Sequence, residues 1–544
     1  MADLYRRPKV PTLGRTAYLP TDQSGDDSGG LSGLASGCEL YVPTLEPGDE
    51  QSIYFRALAL VPRANRRHWF DHDGDAPITN EFIAREAIRI YKIRQFQAAG
   101  VSPAHHALNH RAILSIAWPI VLSNLSTPLL GLIDTGIVGQ LPDPAYIGAV
   151  ALGAMIFNFV YWAFGFLRMG TTGLTAQAIG AGDQDEVRLA LMRALLIAGL
   201  CGLVLILCQP LVSWTAFSLV NASLEVESGA ADYFRIRIWS APFSLANFAL
   251  LGWFIGCQRS KLALLMQCFL NGLNAALDAI FVIQFGWGIA GIAAGTLIAE
   301  ISAAALGTSL AIRQFRQAQN PLNFGRLLDW PALRRAFLVN REIMLRTLCL
   351  LSAFSFFTAK SAEFGDVLLA VNSILLHFVS FTAYFLDGFA FAAEAFVGQA
   401  IGQVSRTRLL RSIRLSTAWS AGCAFMLASL LFLLGPFAID CLSTSPPVRT
   451  EGRNYLPWVV LLPTLSFWCW QLDGIFIGAT HSHEMQKTAV WSLASFLIFY
   501  AVLCDYGNHG LWLSLLLFNV MRGIFLGLYL PALVRSVPQI KTKL

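Results

Sequence analysis

Charged residues are scarce in this chain. Only 13% of its 544 residues are Asp, Glu, Lys or Arg, and 55% are hydrophobic. A soluble domain carries about 25% charged residues, so this chain has too little charge to cover a water-facing surface. The shortage argues against a soluble enzyme and against a disordered or fibrous protein. It predicts an integral membrane protein.

Several functional motifs are also missing. The ten cysteines show no CxxC or paired spacing, so they predict small buried hydrophobic side chains rather than disulfides or a zinc site. No GxxxxGK[ST] loop is present, which excludes an ATPase built into the chain. An HxH pair, His481 and His483, lacks a third ligand nearby, so no metal site is predicted there. Met1 is not followed by the apolar core of a secretory signal peptide.

The first part of the chain is polar. Residues 1–110 hold 25 charged residues, whereas the other 434 positions hold 48. Residues 1–104 are therefore predicted to form a mostly disordered tail, in which 80–99 form one short helix. An alternative is that translation starts near Val101, which would remove the tail, since no Met lies between Met1 and Met155.

Twelve segments of the remaining chain are candidate membrane spans. A bilayer-crossing helix needs about 20 mainly apolar residues. The segments that satisfy this requirement are 112–138, 146–179, 189–213, 233–256, 262–284, 288–312, 342–359, 367–401, 412–439, 455–479, 488–504 and 511–534.

Lys and Arg are distributed unevenly over the loops between these spans. With the N-terminus in the cytoplasm, the inner loops carry 17 Lys and Arg and the outer loops carry three. The positive-inside rule therefore predicts that both termini are cytoplasmic. The linker 313–341 is the most basic loop, and 536–544 form a C-terminal cytoplasmic tail. Loops facing anionic lipid account for the small positive excess, so no nucleic-acid partner is predicted.

Two short sequences recur at one spacing of 222 residues. Gln177-Ala178-Ile179-Gly180 recurs as Gln399-Ala400-Ile401-Gly402, and the glycine-flanked segment 252–256 recurs as 474–478. The shared spacing predicts two homologous six-helix lobes, residues 105–312 and 342–535. Because six is even, the lobes form a parallel repeat, and such pairs transport by rocking around a central site.

Two acidic residues lie within spans of the first lobe, where a charge is costly and usually functional. Asp134 lies in the first span and Asp278 in the fifth, and Asn274 shares a helix face with Asp278. Thr296 in the sixth span adds a hydroxyl group. These oxygens suit H⁺ or Na⁺, so they predict a cation-coupling site and no other metal site. The alternative for Asn274 and Thr296 is hydrogen bonding between helices.

Two prolines, Pro119 and Pro128, lie in the same span as Asp134. Each removes a helical hydrogen bond, so the span is predicted to bend and straighten, or else to carry a static kink.

The second lobe contains three acidic candidates of its own, Asp387, Glu394 and Asp473. None lies 222 residues from Asp134 or Asp278, so the two lobes differ chemically. Gating contacts, substrate contacts and packing are all open for these acids. Three arginines within spans are expected to pair with them: Arg168, Arg346 and Arg522.

The body of the chain resembles the multidrug and toxic compound extrusion (MATE) transporters, in the branch of the DNA-damage-inducible protein F (DinF). The resemblance covers about residues 107–535 and excludes the tail. The segments that carry it are 128–135, 166–180, 236–256, 387–390, 472–480 and 507–509.

This resemblance implies an all-α, V-shaped protein with a central cavity. It implies export of organic, often cationic, compounds in exchange for H⁺ or Na⁺. It implies that the family's cation site falls on Asp134, Asn274, Asp278 and Thr296, and its bending proline on Pro119. Some relatives have a tyrosine one turn before the helix-one acid, where Leu130 stands here, so the coupling ion stays open. A monomer in a bacterial inner membrane, with small organic molecules and lipid as partners and no cofactor, is expected.

Two other functions are alternatives. A flippase for lipid-linked precursors would line its cavity with Arg or Lys, but acids are at least as prominent here. A membrane-embedded enzyme would need a cluster such as His with Asp or Ser, and His377 is the one histidine within the predicted spans.

Overall fold

The computed structural model describes residues 108–139, 144–218, 223–316 and 324–538. Most of these residues are α-helical, and eleven helical stretches are long and apolar enough to cross a membrane. The last stretch, Ser482–Ser536, has 55 residues, far more than the about 20 that a bilayer requires. Within it, Gly507 has a φ of 56° and separates two helices that pack on each other. The described residues therefore contain the twelve predicted spans. The predicted tail helix lies outside them.

The first lobe is formed by α1 to α6 and the second by α7 to α12. A short helix, Gln209–Ser218, lies between α3 and α4. In chain order the twelve spans are α1 His110–Val138, α2 Ala145–Gly180, α3 Gln184–Leu207, α4 Leu224–Gly256, α5 Ser260–Gln284, α6 Gly288–Phe315, α7 Trp330–Glu363, α8 Asp366–Gly402, α9 Arg406–Leu442, α10 Pro446–Ala479, α11 Ser482–Leu503 and α12 Gly507–Ser536.

Two helix boundaries differ from the predicted spans. The third span was predicted over 189–213, but α3 ends at Leu207. Pro210 has no N–H to donate to the carbonyl of Ile206, so it begins a new helix rather than continuing α3. The seventh span was predicted to begin at 342, but α7 begins at Trp330. Its first three turns carry several arginines, which hydropathy does not recognise as part of a span.

The two lobes share one packing scheme. In the first lobe α2 packs on α4, α1 on α5 and α5 on α6, and in the second α8 packs on α10, α7 on α11 and α11 on α12. The backbone repeats as well. Gly182 and Val404 lie 222 residues apart with φ of 72° and 52°, and Gln258 and Thr480 do so with 58° and 56°. Positive φ is uncommon for residues with a Cβ atom. Its recurrence at matched positions confirms the parallel repeat.

The lobes meet through α1 and α2 of the first and α7, α8 and α10 of the second. Close contacts lie near the ends of α2, α8 and α10. Gly180, for example, packs on the backbone of Gln399 and Gly402. The opposite half of α1 is open, since Leu129 is 59% exposed and Ile133 is 47% exposed. The lobes are therefore held together mainly at one end of the helices.

Candidate functional site

Helix α5 presents polar side chains to α1 along much of its length. Ser260 Oγ donates a hydrogen bond to the carbonyl of Ser115 at 3.1 Å. Three turns further along, Asn271 Nδ2 donates to Ser126 Oγ at 2.7 Å. Because these contacts lie in an apolar environment, they are exchanged for few water contacts. They fix the position of α1 against α5.

The two predicted prolines lie inside α1, which is helical through both. Pro119 cannot donate to the carbonyl of Ser115, four residues before it. Ser260 supplies the missing donor from α5. Pro128 leaves the carbonyl of Asn124 without its helical donor, while the side chain of Asn124 donates to the carbonyl of Tyr384 in the other lobe at 3.2 Å.

The structure brings the four predicted cation-site residues together. Asn274 Nδ2 donates to Asp278 Oδ2 at 3.2 Å and to Thr296 Oγ1 at 3.1 Å. The Thr296 hydroxyl donates to the carbonyl of Ile292 at 2.9 Å. Asp278 is fully buried, and Asp134 of α1 is its hydrogen-bonding neighbour. Helices α1, α5 and α6 thus converge at this point.

The two carboxyl groups are the chemically distinctive part of the site. Oδ1 of Asp134 and Oδ1 of Asp278 are buried, and neither has a hydrogen-bond donor. Two ionised carboxylates repel strongly where water is excluded. A hydrogen bond between them requires a proton on one of them. One proton, or one cation between the oxygens, would remove the repulsion.

The backbone of α6 leaves space for this carboxyl group. Gly295 packs directly on Oδ1 of Asp278, where a Cβ atom would collide with the carboxylate. The absence of a side chain at this position is therefore part of the site. No group of three His, Cys, Asp or Glu side chains suited to a metal ion occurs among the described residues.

The three second-lobe acids pair with the three arginines expected from the sequence. Arg168 of α2 donates to Glu394 of α8 at 3.2 Å, which joins the two lobes. Arg522 donates to Asp473 at 2.6 Å, and Arg346 donates to the same oxygen.

Charge is balanced within this six-residue cluster. Asp387 lies within electrostatic range of Arg168, Arg346 and Arg522. Arg168 also stacks on Phe391, with its Cζ atom 3.7 Å from the ring centroid. Three carboxyl groups thus face three guanidinium groups, and no additional cation is needed to neutralise them.

A small cavity of about 70 Å³ lies between the lobes beside this cluster. Ser123, Asn124 and Thr127 of α1 line it, together with Arg168 and Phe391. The three α1 residues lie between the two prolines. The proline-bounded part of α1 therefore faces both the other lobe and the balanced charge cluster.

Sequence reasoning missed a second group of polar residues next to the cation site. Arg237 and Asn247 of α4 and Glu300 of α6 lie within the membrane-spanning part of the chain. Asn247 Nδ2 donates to Glu300 Oε2 at 2.7 Å. Glu300 could have been found from its position, because it follows Thr296 by four residues and shares its helix face.

Comparison with known proteins identifies the family. The MatE family profile matches residues 119–280 and 343–504, one segment in each lobe. The chain is 37% identical to DNA damage-inducible protein F of Escherichia coli over 418 residues, 76% of this chain and 91% of that protein. It is 26% identical to the probable multidrug resistance protein NorM of Neisseria meningitidis over 429 residues, 75% of this chain and 90% of that protein.

The fold comparison agrees. A solved multidrug resistance MATE family transporter, described as outward-facing, superposes with a TM-score of 0.72 at 19% identity, covering 79% of this chain and 96% of that one. Fold, repeat and sequence lead to one conclusion. This chain belongs to the MATE family of multi-pass membrane transporters.

Proposed function

We propose that this protein is a secondary antiporter that exports organic, often cationic, compounds in exchange for H⁺ or Na⁺. The coupling ion binds at Asp134 and Asp278, with Asn274 and Thr296 as further oxygen-bearing neighbours. The observation that carries this proposal is the pair of buried carboxyl oxygens without donors. They form a site that is incomplete without a cation, whereas the six-residue cluster of the other lobe is balanced.

The position of α1 explains how the ion is coupled to the lobes. A cation between Asp134 and Asp278 draws α1 towards α5, and its release removes that attraction. The other side of α1 contacts α8 of the second lobe, where Gly388 packs on Ala117 and Val121. Ion binding thus gives the two arrangements of α1 different free energies, which is what an ion-driven change of state requires.

We assign Asp387, Glu394 and Asp473 to holding the lobes in register rather than to ion coupling. Their arginine partners leave no negative charge for an ion to neutralise. The same pairing argues against the flippase, because Arg168, Arg346 and Arg522 are already occupied by acids and offer no excess charge to an anionic headgroup.

The location follows from the loop charges. We propose that both termini are cytoplasmic and that the membrane is the bacterial inner membrane, with lipid around a monomer. The closed end of the helices carries the arginine-rich segment before and within the start of α7. The structure then corresponds to the state that is open to the outside.

Efflux of ethidium, a fluorescent organic cation, from proteoliposomes tests this function. An imposed pH gradient is compared with an imposed Na⁺ gradient for the wild type, Asp134→Asn and Asp278→Asn. Glu363→Gln is the matched control, because that carboxylate is exposed and pairs with Lys360 outside the site. We expect one gradient to drive efflux in the wild type and the control, and neither to drive it in the Asn variants. Efflux that persists in both Asn variants would contradict the proposed coupling site.

A further inference from the structure

A buried guanidinium group lies next to the cation site without a complete set of partners. Arg237 of α4 stacks on Phe157 of α2, with its Cζ atom 5.2 Å from the ring centroid. Its Nε and Nη1 atoms are buried and have no hydrogen-bond acceptor. A buried N–H group without an acceptor is costly. The group is therefore positioned to engage an acceptor in another state of the site.

Three carboxyl groups surround this arginine. Asp278 of α5 and Glu300 of α6 both lie within its electrostatic range, and so does Asp134 of α1. The other titratable groups that face it are Tyr161 of α2 and Tyr233 of α4. Within the described residues, these five groups come from every helix that packs around Arg237.

Counting the charges gives an imbalance that the second lobe does not have. Asp134, Asp278 and Glu300 carry three negative charges when ionised, and Arg237 carries one positive charge. A single cation at the aspartate pair still leaves one negative charge uncompensated. An uncompensated charge is expensive in a membrane interior, so the site accommodates a second cation.

The geometry assigns the second cation to Glu300. Its Oε2 atom already accepts a hydrogen bond from Asn247 Nδ2 at 2.7 Å, while Oδ1 of Asn247 is buried without a donor. A protonated carboxyl group can donate as well as accept, so it can satisfy such an oxygen. Na⁺ is disfavoured here because the neighbouring guanidinium group would repel it.

We propose that Glu300 is a second proton-binding carboxyl group, and that Arg237 is a counter-ion shared between Glu300 and the Asp134–Asp278 pair. Protonation of Glu300 releases Arg237 towards the aspartates, and occupation of the aspartate pair releases it towards Glu300. The two sites are therefore linked through one positive charge. The inference rests on the proposed antiport function only in what the second proton is used for.

Infrared difference spectroscopy tests the site without requiring transport. The full-length protein in lipid is titrated from acid to alkaline pH, and the C=O stretching band of protonated carboxyl groups is followed. We expect Glu300→Gln to remove one component, Glu300→Asp to retain it at a shifted frequency, and Glu363→Gln to leave it unchanged. Arg237→Met should keep that component to more alkaline pH, because the positive charge that favours the ionised form is gone. Identical spectra for Glu300→Gln and the wild type at every pH would overturn the proposal.

Ethidium exchange on the same preparations separates this inference from the proposed function. We expect Glu300→Gln to retain gradient-driven efflux while the number of protons exchanged per dye molecule falls by about half. An unchanged proton count would overturn the second site's part in transport. Loss of the infrared component in Glu300→Gln without gradient-driven efflux in the wild type would support the second site and contradict the antiport function.

Discussion

Gly180 and Gly402 lie against each other where the two lobes meet. A Cβ atom on Gly402 would lie 2.9 Å from the Cα atom of Gly180, and it would lie still closer to the carbonyl oxygen of Gln177. In the reciprocal contact, a Cβ atom on Gly180 would collide with the carbonyl of Gln399. These glycines end the two copies of the repeated Gln-Ala-Ile-Gly sequence. The repeat therefore contacts itself across the pseudo-two-fold axis and closes one end of the transporter.

A larger side chain at this contact should open the closed end. Both neighbours are backbone atoms and cannot rotate away, so Gly402→Leu should destabilise the closed arrangement by about 1–3 kcal/mol. Spin labels at Arg259 and Leu410, in a background without reactive cysteine, report the separation of the two lobes. We expect a longer-distance population in the variant. Gly199→Leu is the control, because a Cβ there meets nothing within 4 Å. Identical distance distributions in all three proteins would contradict this account of the contact.

The hydrogen bond from Ser260 to Ser115 should matter only while residue 119 is proline. Ser260→Ala leaves the buried Ser115 carbonyl without a donor, at a cost of about 1–3 kcal/mol. Adding Pro119→Ala restores the N–H that donates to this carbonyl within α1, so the double variant should recover stability. Thermal unfolding in detergent measures both, with Ser309→Ala as control because its hydroxyl bonds only its own helix. Additive losses in the double variant would show that the two residues do not act together.

The ion pair between Arg168 and Glu394 should affect stability rather than ion coupling. Glu394 is 1% exposed and Arg168 is 13% exposed, so Glu394→Gln leaves a buried charge with one partner fewer. A loss of about 3–5 kcal/mol is typical of such changes. The dependence of the remaining efflux on pH or Na⁺ should match that of the wild type. A changed ion dependence would mean that the second lobe takes part in coupling.

Gly295 should be intolerant of even a methyl group. Gly295→Ala places a Cβ atom on Oδ1 of Asp278, so the carboxyl group must move away from Asp134. We expect gradient-driven ethidium efflux to fall by at least about tenfold, since small displacements of site groups have effects of this size. Gly272→Ala in α5, which has free space around it, should transport normally. Equal efflux from both variants would exclude a close fit at Gly295.

Hydropathy and the 222-residue repeat were sufficient to predict twelve spans in two lobes, because both depend on local sequence. The cation-site candidates could be found because a carboxylate within an apolar span is conspicuous. Their mutual contact could not be found, since it depends on which helices adjoin. For the same reason Arg237 and Glu300 escaped notice. Neither sequence position indicates that α4 and α6 meet beside the aspartate pair. Charge balance in the second lobe likewise required the arginine partners to be assigned.

The central claim is that the coupling ion and the exported compound exclude each other. Ethidium binding to the purified protein, measured by fluorescence polarisation over a range of pH and Na⁺ concentration, tests it most directly. We predict that affinity falls as protons or Na⁺ occupy the Asp134–Asp278 site, since linkage makes such competition reciprocal. Asp278→Asn should bind ethidium with an affinity largely insensitive to the ion. An ion dependence that is the same in Asp278→Asn and the wild type would contradict the account.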